Sequence, residues 1–174
     1  MTRSIVVLLI ALLCAACNST VQRVSHHAPV KLKSRWAMLP FSNHSETPQA
    51  GERAEALLGT ILRARGVNQL EPYPAPKEEE KLMAGDRLQL EEAIGWAKKQ
   101  KVDYAVLGSV EEWRYKGGVD AEPAVGVSVQ VMEVSTSRIL WVASGSHTGS
   151  GSESTSGVAL KLLDAMVKEL DVVP

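Results

Sequence analysis

An alternating run of valines constrains the fold more than any other feature of this chain. Between Ala124 and Val134, Val125, Val127, Val129 and Val131 fall on one side of an extended backbone. Gly126, Ser128, Gln130 and Met132 fall on the other. A period of two sends successive side chains to opposite faces, so this segment is a strand buried on one face, as in antiparallel sheets. Its neighbours complete a meander. Val102 to Tyr115 is strand-like, with an apolar middle at Ala105, Val106 and Leu107. Residues 116–123 turn the chain through Gly117-Gly118, Ser135 to Arg138 forms a short hairpin loop, and Ile139 to His147 returns as a strand.

Helical periods flank this sheet. Ala50, Ala54, Leu57, Leu58 and Ile61 recur at helical spacing from about Pro48 to Arg65. Glu52 and Glu55 suit the opening turns, Arg63 and Arg65 the negative C-terminal end, and Gly66 the stop. A second helix starts near Asp86, a good N-cap, and buries Leu90, Ala93, Ile94 and Ala97. The last helix carries Ala159, Leu162, Leu163, Met166, Val167 and Leu170 on one face. Arg35 to Phe41 is the first strand, and Val67 to Leu70 a short second one. Prolines 72, 74 and 76 remove backbone donors, so Glu71 to Pro76 is an extended loop and no central strand. The order is β-α-(β)-α-β-β-β-α, an α/β (α+β) fold in which helices cover one face of a mixed sheet. A chain of 174 residues suits one such domain.

The N-terminal segment reads as targeting. Arg3 is a short positive region, and the apolar run Ile5 to Leu13 is too short to span a bilayer. Cys14-Ala15-Ala16-Cys17 follows, with the small residues a lipoprotein signal peptidase accepts; an ordinary secretory signal is the alternative. Residues 1–16 are thus a signal peptide, residues 17–34 a lipidated tether and residues 35–174 a single periplasmic domain. Cleavage before Cys17 leaves that cysteine alone, to carry lipid, so no disulfide or cysteine metal site forms. Asn18, in place of the Asp that retains lipoproteins at the inner membrane, directs the protein to the outer membrane. Lys31, Lys33 and Arg35, after the tether, are placed to meet anionic headgroups. Loss of Arg3 turns 19 basic residues into 18 against 20 acids, a balance of −2 that implies no nucleic-acid partner.

Catalytic signatures are missing. The chain has no GxSxG, P-loop, HExxH or EF-hand pattern. His26 and His27 lie in the tether, while His44 and His147 lack a partner at ligand spacing, so neither a metal nor a cofactor is expected beyond lipid on Cys17. Gly145 to Gly151 is glycine-rich but lacks the Lys-Ser/Thr pair of a phosphate loop, and reads as a flexible strand-to-helix connection. Glu111 and Glu112 adjoin Trp113. As neighbours on a regular strand they point to opposite faces, with Trp113 and Tyr115 beside Glu111, and Arg114 and Lys116 beside Glu112. They therefore cannot share a bond as glycosidase carboxylates do. An acid-aromatic face suits a cationic sugar; ordinary cross-strand pairs suit the same residues. Trp36 and Trp96 read as core. Trp141 lies where both strand faces are apolar, which leaves core, a subunit contact or the membrane interface open for it.

Several segments together resemble one family. Trp36 to Phe41 (WAMLPF) is followed by Asn43 to Gly51 and Arg53-Ala54-Glu55-Ala56. Val110 to Lys116 (VEEWRYK) runs on to Glu122-Pro123-Ala124-Val125-Gly126, and Arg138-Ile139-Leu140-Trp141 and Lys161-Leu162-Leu163-Asp164 follow. With the lipobox, nearly the whole chain resembles PelC, the outer-membrane lipoproteins of Pel polysaccharide export. It departs at Cys14, where a Leu is usual. The resemblance implies a fold similar to the amino-terminal domain of TolB-like proteins and to curli-secretion lipoproteins. It also implies a ring-forming homo-oligomer, a dodecamer, beneath the porin PelB, with an electronegative funnel that guides a cationic Pel polymer in biofilm formation. Glu111, Glu112, Asp120 and Glu122 are candidate guiding acids, with further acids at Glu78, Glu79, Glu80 and Asp86. Two other readings compete with this non-enzymatic one: a periplasmic glycan-modifying enzyme using Glu111 or Asp120, and a monomeric TolB-like binding module.

Overall fold

The computed structural model describes residues 20–25, 28–74, 86–117 and 121–173. In chain order its elements are β1 (Thr20–Ser25), β2 (Val30–Lys31), β3 (Trp36–Asn43), α1 (Ala50–Ala64), β4 (Leu70–Pro72), α2 (Asp86–Gln100), β5 (Tyr104–Lys116), β6 (Glu122–Glu133), β7 (Arg138–Thr148), α3 (Thr155–Lys168) and β8 (Val172–Val173). The main sheet runs β1-β7-β6-β5-β3-β4, and β2 pairs with β8 in a small second sheet. β3 is parallel to both β4 and β5, whereas β5, β6, β7 and β1 pair antiparallel in series. The expected meander and mixed sheet are therefore present.

Helices cover both faces of this sheet, and the expectation of one covered face is wrong. The reason is topological. From β3 the chain crosses through α1 to β4 on one side, then through α2 to β5 on the other side of β3. Parallel crossovers are right-handed, so two crossovers that travel in opposite directions lay their helices on opposite faces. The first core joins Ala54, Leu58 and Ile61 of α1 and Leu162, Leu163 and Met166 of α3 to Trp36, Val106 and the four valines of β6. The second joins Ala93 and Ala97 of α2 to Ala37, Leu39, Ala105 and Met132. Trp96 lies at its margin, edge-on to Tyr73 with ring centroids 5.5 Å apart.

The helix ends follow their sequence signals. Gly66, at φ 102°, takes the left-handed conformation that stops α1. Ser154 caps α3 by accepting from the Gly157 amide at 3.1 Å. The short strand after α1 lies at Leu70–Pro72 and not at residues 67–70; it is an edge strand, where a proline costs no ladder bond.

Two expectations fail on strand geometry. Thr20–Ser25, expected inside a free tether, forms β1 along the outer edge of β7. Backbone pairing on an open edge needs no strong apolar pattern, which is why nothing in this polar segment marks it. Trp141, expected at a membrane or subunit contact if not in the core, is only 4% exposed and lies in the first core. A register shift between the Val131–Trp141 and Met132–Ile139 pairs makes Leu140 the extra residue. Leu140 and Trp141 both turn inward there, while Ile139 packs on the α2 side.

Gly108 offers a test of this packing. A Cβ there would overlap the Ser128 carbonyl oxygen and lie 2.6 Å from the Phe41 ring, so backbone would have to move. Gly108→Ala is expected to cost roughly 3 kcal/mol by overpacking. At Gly95 in α2 a Cβ would have nothing within 4 Å, so Gly95→Ala should gain about 0.5–1 kcal/mol of helix propensity. Urea unfolding of both variants checks this; equal midpoints would contradict the packing described.

Candidate functional site

The far end of β5 departs from simple alternation. Val110 pairs with Val127 and Glu112 with Gly126, which leaves Glu111 as an extra residue. Val110 and Trp113 both lie in the first core, so the two glutamates between them both face the other side. Their placement against Gly126 agrees: a Cβ on that glycine would lie 3.4 Å from the Glu112 Cβ and 3.7 Å from the Glu111 Cβ. The expectation that Glu111 and Glu112 occupy opposite faces is thus corrected. A β-bulge absorbs one residue and sets the two carboxylates side by side.

The surface around them is open and polar. α2 covers only the other end of this face, where Ala105 and Met132 lie. Beneath the glutamates the sheet presents Gly126, Ser128, Ser144 and Ser146, with the Ser128 hydroxyl donating to that of Ser144 at 3.0 Å. The Ser109 hydroxyl donates to Glu111 Oε1 at 2.5 Å, and Arg114 Nε donates to Glu112 Oε1 at 3.0 Å. That ion pair is largely exposed and contributes little to stability. One shallow cleft is lined by the two glutamates with Gly126, Ser144, Gly145 and Ser146. A second is lined by them with His44, Ser45, Glu46, Trp113 and Arg114.

The loop that bears Glu46 is firmly built. Asn43 Oδ1 accepts from the Ser45 amide at 3.1 Å and hydroxyl at 2.7 Å, and Asn43 Nδ2 donates to the Thr47 carbonyl at 2.8 Å. The Thr47 hydroxyl donates to the Trp113 carbonyl, and the His44 amide to that of Val110 at 2.8 Å. Glu46, Glu111 and Glu112 therefore edge adjoining clefts with only Arg114 among them as counter-charge. Such a surface attracts cations loosely. Glu46 is absent from the acids expected on sequence grounds, because it comes from a different strand end and nothing in its own segment marks it.

The remaining candidates are scattered. Glu122 is exposed at the start of β6, opposite Lys116 in the register. Asp120 and Cys17, like Glu78, Glu79 and Glu80, lie outside the described residues. Among the described residues no group of three or more His, Cys, Asp or Glu side chains could hold a metal ion. The Gly149–Ser154 connection, expected to be flexible, is an organised turn. The Glu153 carboxylate accepts from the Ser150 amide at 2.9 Å and from the Lys161 ammonium, and Tyr115 reaches the Glu153 carbonyl at 3.4 Å. At the opposite end of the sheet an open cleft is lined by Lys31, Lys98 and Lys101 with Asp103 and Glu133. Arg35 beside it is occupied, bonded to Glu71 at 3.0 Å and to the Gln100 carbonyl at 2.6 Å.

No protein-family model matches the chain, and neither does any curated protein. Among solved structures it is similar to a PelC dodecamer from Paraburkholderia phytofirmans, at 33% identity and a TM-score of 0.75, over 90% of this chain and 100% of that one. A variant of the same dodecamer gives 33% identity and a TM-score of 0.76 over the same shares. A lipoprotein from Neisseria meningitidis, at 18% identity and a TM-score of 0.54 over 81% of this chain and 97% of that one, shares the fold.

The turn before α3 makes a pH prediction. The Lys161 ammonium, and next the Ser150 amide, hold the Glu153 carboxyl down from its ordinary 4.5 to about 2. A depressed carboxyl stabilises the fold fully above its unfolded value, and that contribution is lost as pH falls from about 4.5 through 2. The stability gap between the parent and Glu153→Gln should be widest near neutrality and close towards pH 2. A Glu153 resonance that titrates near 4.5 would contradict this.

Proposed function

The chain belongs to the PelC family, and from that membership we propose that it is a lipoprotein of Pel polysaccharide export, acting as a homo-oligomeric ring, a dodecamer as in its relative. Acyl chains on Cys17 hold it to the outer membrane, where it faces the periplasm beneath the porin PelB. Its work is guidance of a cationic polymer to the pore. The observation that carries this reading is the carboxylate pair Glu111–Glu112, set side by side by a bulge on an uncovered, glycine- and serine-floored sheet face. A ring repeats that pair in every subunit, and many modest charges around a confined opening sum to a strong negative field. Screening limits its reach to about 8 Å at physiological ionic strength, so each contact is local and brief. That suits a chain in transit. Glu46 joins the pair as a third guiding acid, and Glu122 and Asp120 add charge near the strand ends.

Guidance needs no bond-breaking chemistry. Glu112 is engaged by Arg114, both glutamates reach solvent, and the clefts beside them are shallow, unlike the enclosed groove in which two carboxylates act on one glycosidic bond. Side-by-side placement nevertheless makes a cleavage assay the right control.

The double variant Glu111→Gln/Glu112→Gln should stay folded and oligomeric but export much less polymer. In vitro it should bind a deacetylated amino-sugar oligomer several-fold more weakly, with a shallower salt dependence. Unchanged export by a variant that still forms rings would end the guidance reading. Glutamate-dependent shortening of the oligomer would establish an enzyme, and light scattering that finds a monomer at high concentration would favour a lone binding module.

A further inference from the structure

The register of β1 fixes which end of the domain the lipid must leave from. β1 runs antiparallel to β7, with Thr20 level with Ser146 and Ser25 level with Trp141. Followed backward from Thr20, the chain heads to the end of the sheet where β7 reaches Thr148 and β5 reaches Lys116. Cys17 precedes Thr20 by three residues, and a fully extended chain spans at most about 3.6 Å per residue. The acylated residue therefore stands within about 11 Å of Thr20, on a leash far shorter than a free tether.

Across the sheet Thr20 aligns with Ser146, Gly126 and Glu112. Tyr115 lies three residues beyond Glu112 along β5, about 10 Å nearer that end. The leash thus reaches the level of Tyr115 and little further. Tyr115 is 53% exposed, one of few large apolar side chains left to solvent among the described residues. It stands between Arg114 and Lys116, both exposed, with Gly117 after it. Lys116 donates to the Thr148 hydroxyl at 2.9 Å and lies opposite Glu122, while Arg114 pairs with Glu112. The patch is accordingly an aromatic ring among balanced charges, the composition that Tyr favours at a membrane–water boundary.

We propose that the domain stands end-on to the bilayer, with the Tyr115 end of β5 seated on the lipid surface into which Cys17 is acylated. This rests on the lipidation of Cys17 put forward above. The Lys31–Lys98–Lys101 cleft sits at the Tyr104 end of β5, on the order of 40 Å away along the strand. Lys31 therefore faces away from the membrane, and the expectation that Lys31, Lys33 and Arg35 meet headgroups is reversed. The Glu111–Glu112 pair comes to lie close under the bilayer, near where a pore would open.

The mature acylated chain has no free thiol, so single cysteines can carry a fluorophore. Gly117→Cys and Lys99→Cys mark the two ends, since both positions are exposed. The full-length lipoprotein is placed in phosphatidylethanolamine–phosphatidylglycerol vesicles that contain nitroxide-labelled lipid. Quenching is expected at position 117 and not at position 99, and Tyr115→Ser should reduce it while circular dichroism stays unchanged. The reverse pattern, or no quenching at either position on an acylated, vesicle-bound protein, overturns the orientation alone. A mass spectrum with Cys17 unacylated overturns both the orientation and the lipidation it rests on.

Discussion

Burial of the β6 valines beneath α1 and α3 is the contact on which the rest of the molecule depends. Val125, Val127, Val129 and Val131 are each 0–1% exposed. Burial of a side chain of this kind contributes on the order of 1.5–3 kcal/mol. That layer fixes β6 between β5 and β7 and decides which face of each neighbour points inward. Because the inward face is set so firmly, any residue that does not fit the alternation must be accommodated by the backbone.

Both antiparallel neighbours of β6 make such an accommodation. On β7 the extra Leu140 lets Leu140 and Trp141 both enter the core, and a tryptophan that strict alternation leaves free to meet lipid or a partner becomes an internal residue. On β5 the extra Glu111 lets Val110 and Trp113 both stay inside, and two adjacent acids are left outside together. The charged site is thus a by-product of core packing: the apolar residues take their places, and the bulge delivers the glutamates where α2 does not reach.

The sheet also gives the domain two unlike ends. Lysines from β2, from the end of α2 and from the turn after it gather where β5 begins, and glutamates from β5 and from the loop after β3 gather where it finishes. The first strand, by pairing along β7, ties the anchor side of the chain to the acidic end. Position relative to a membrane then follows from hydrogen-bond register, and not from the net charge of −1.

Much of the architecture could be read from the chain itself. Period-two valines, three helical apolar periods, Gly66 as a stop and the glycine- and proline-marked turns are local signals, and each acts within a few residues. The order of elements and the mixed sheet follow from them. Only the folded chain decided that helices lie on both faces, because crossover direction depends on which side of β3 each strand joins. It alone decided the outward pairing of Glu111 with Glu112, the burial of Trp141 and the recruitment of Thr20–Ser25 as an edge strand. A bulge is the sheet's response to contacts from other elements, and an edge pairing is made through backbone groups that every residue carries, so neither leaves a mark in the order of side chains.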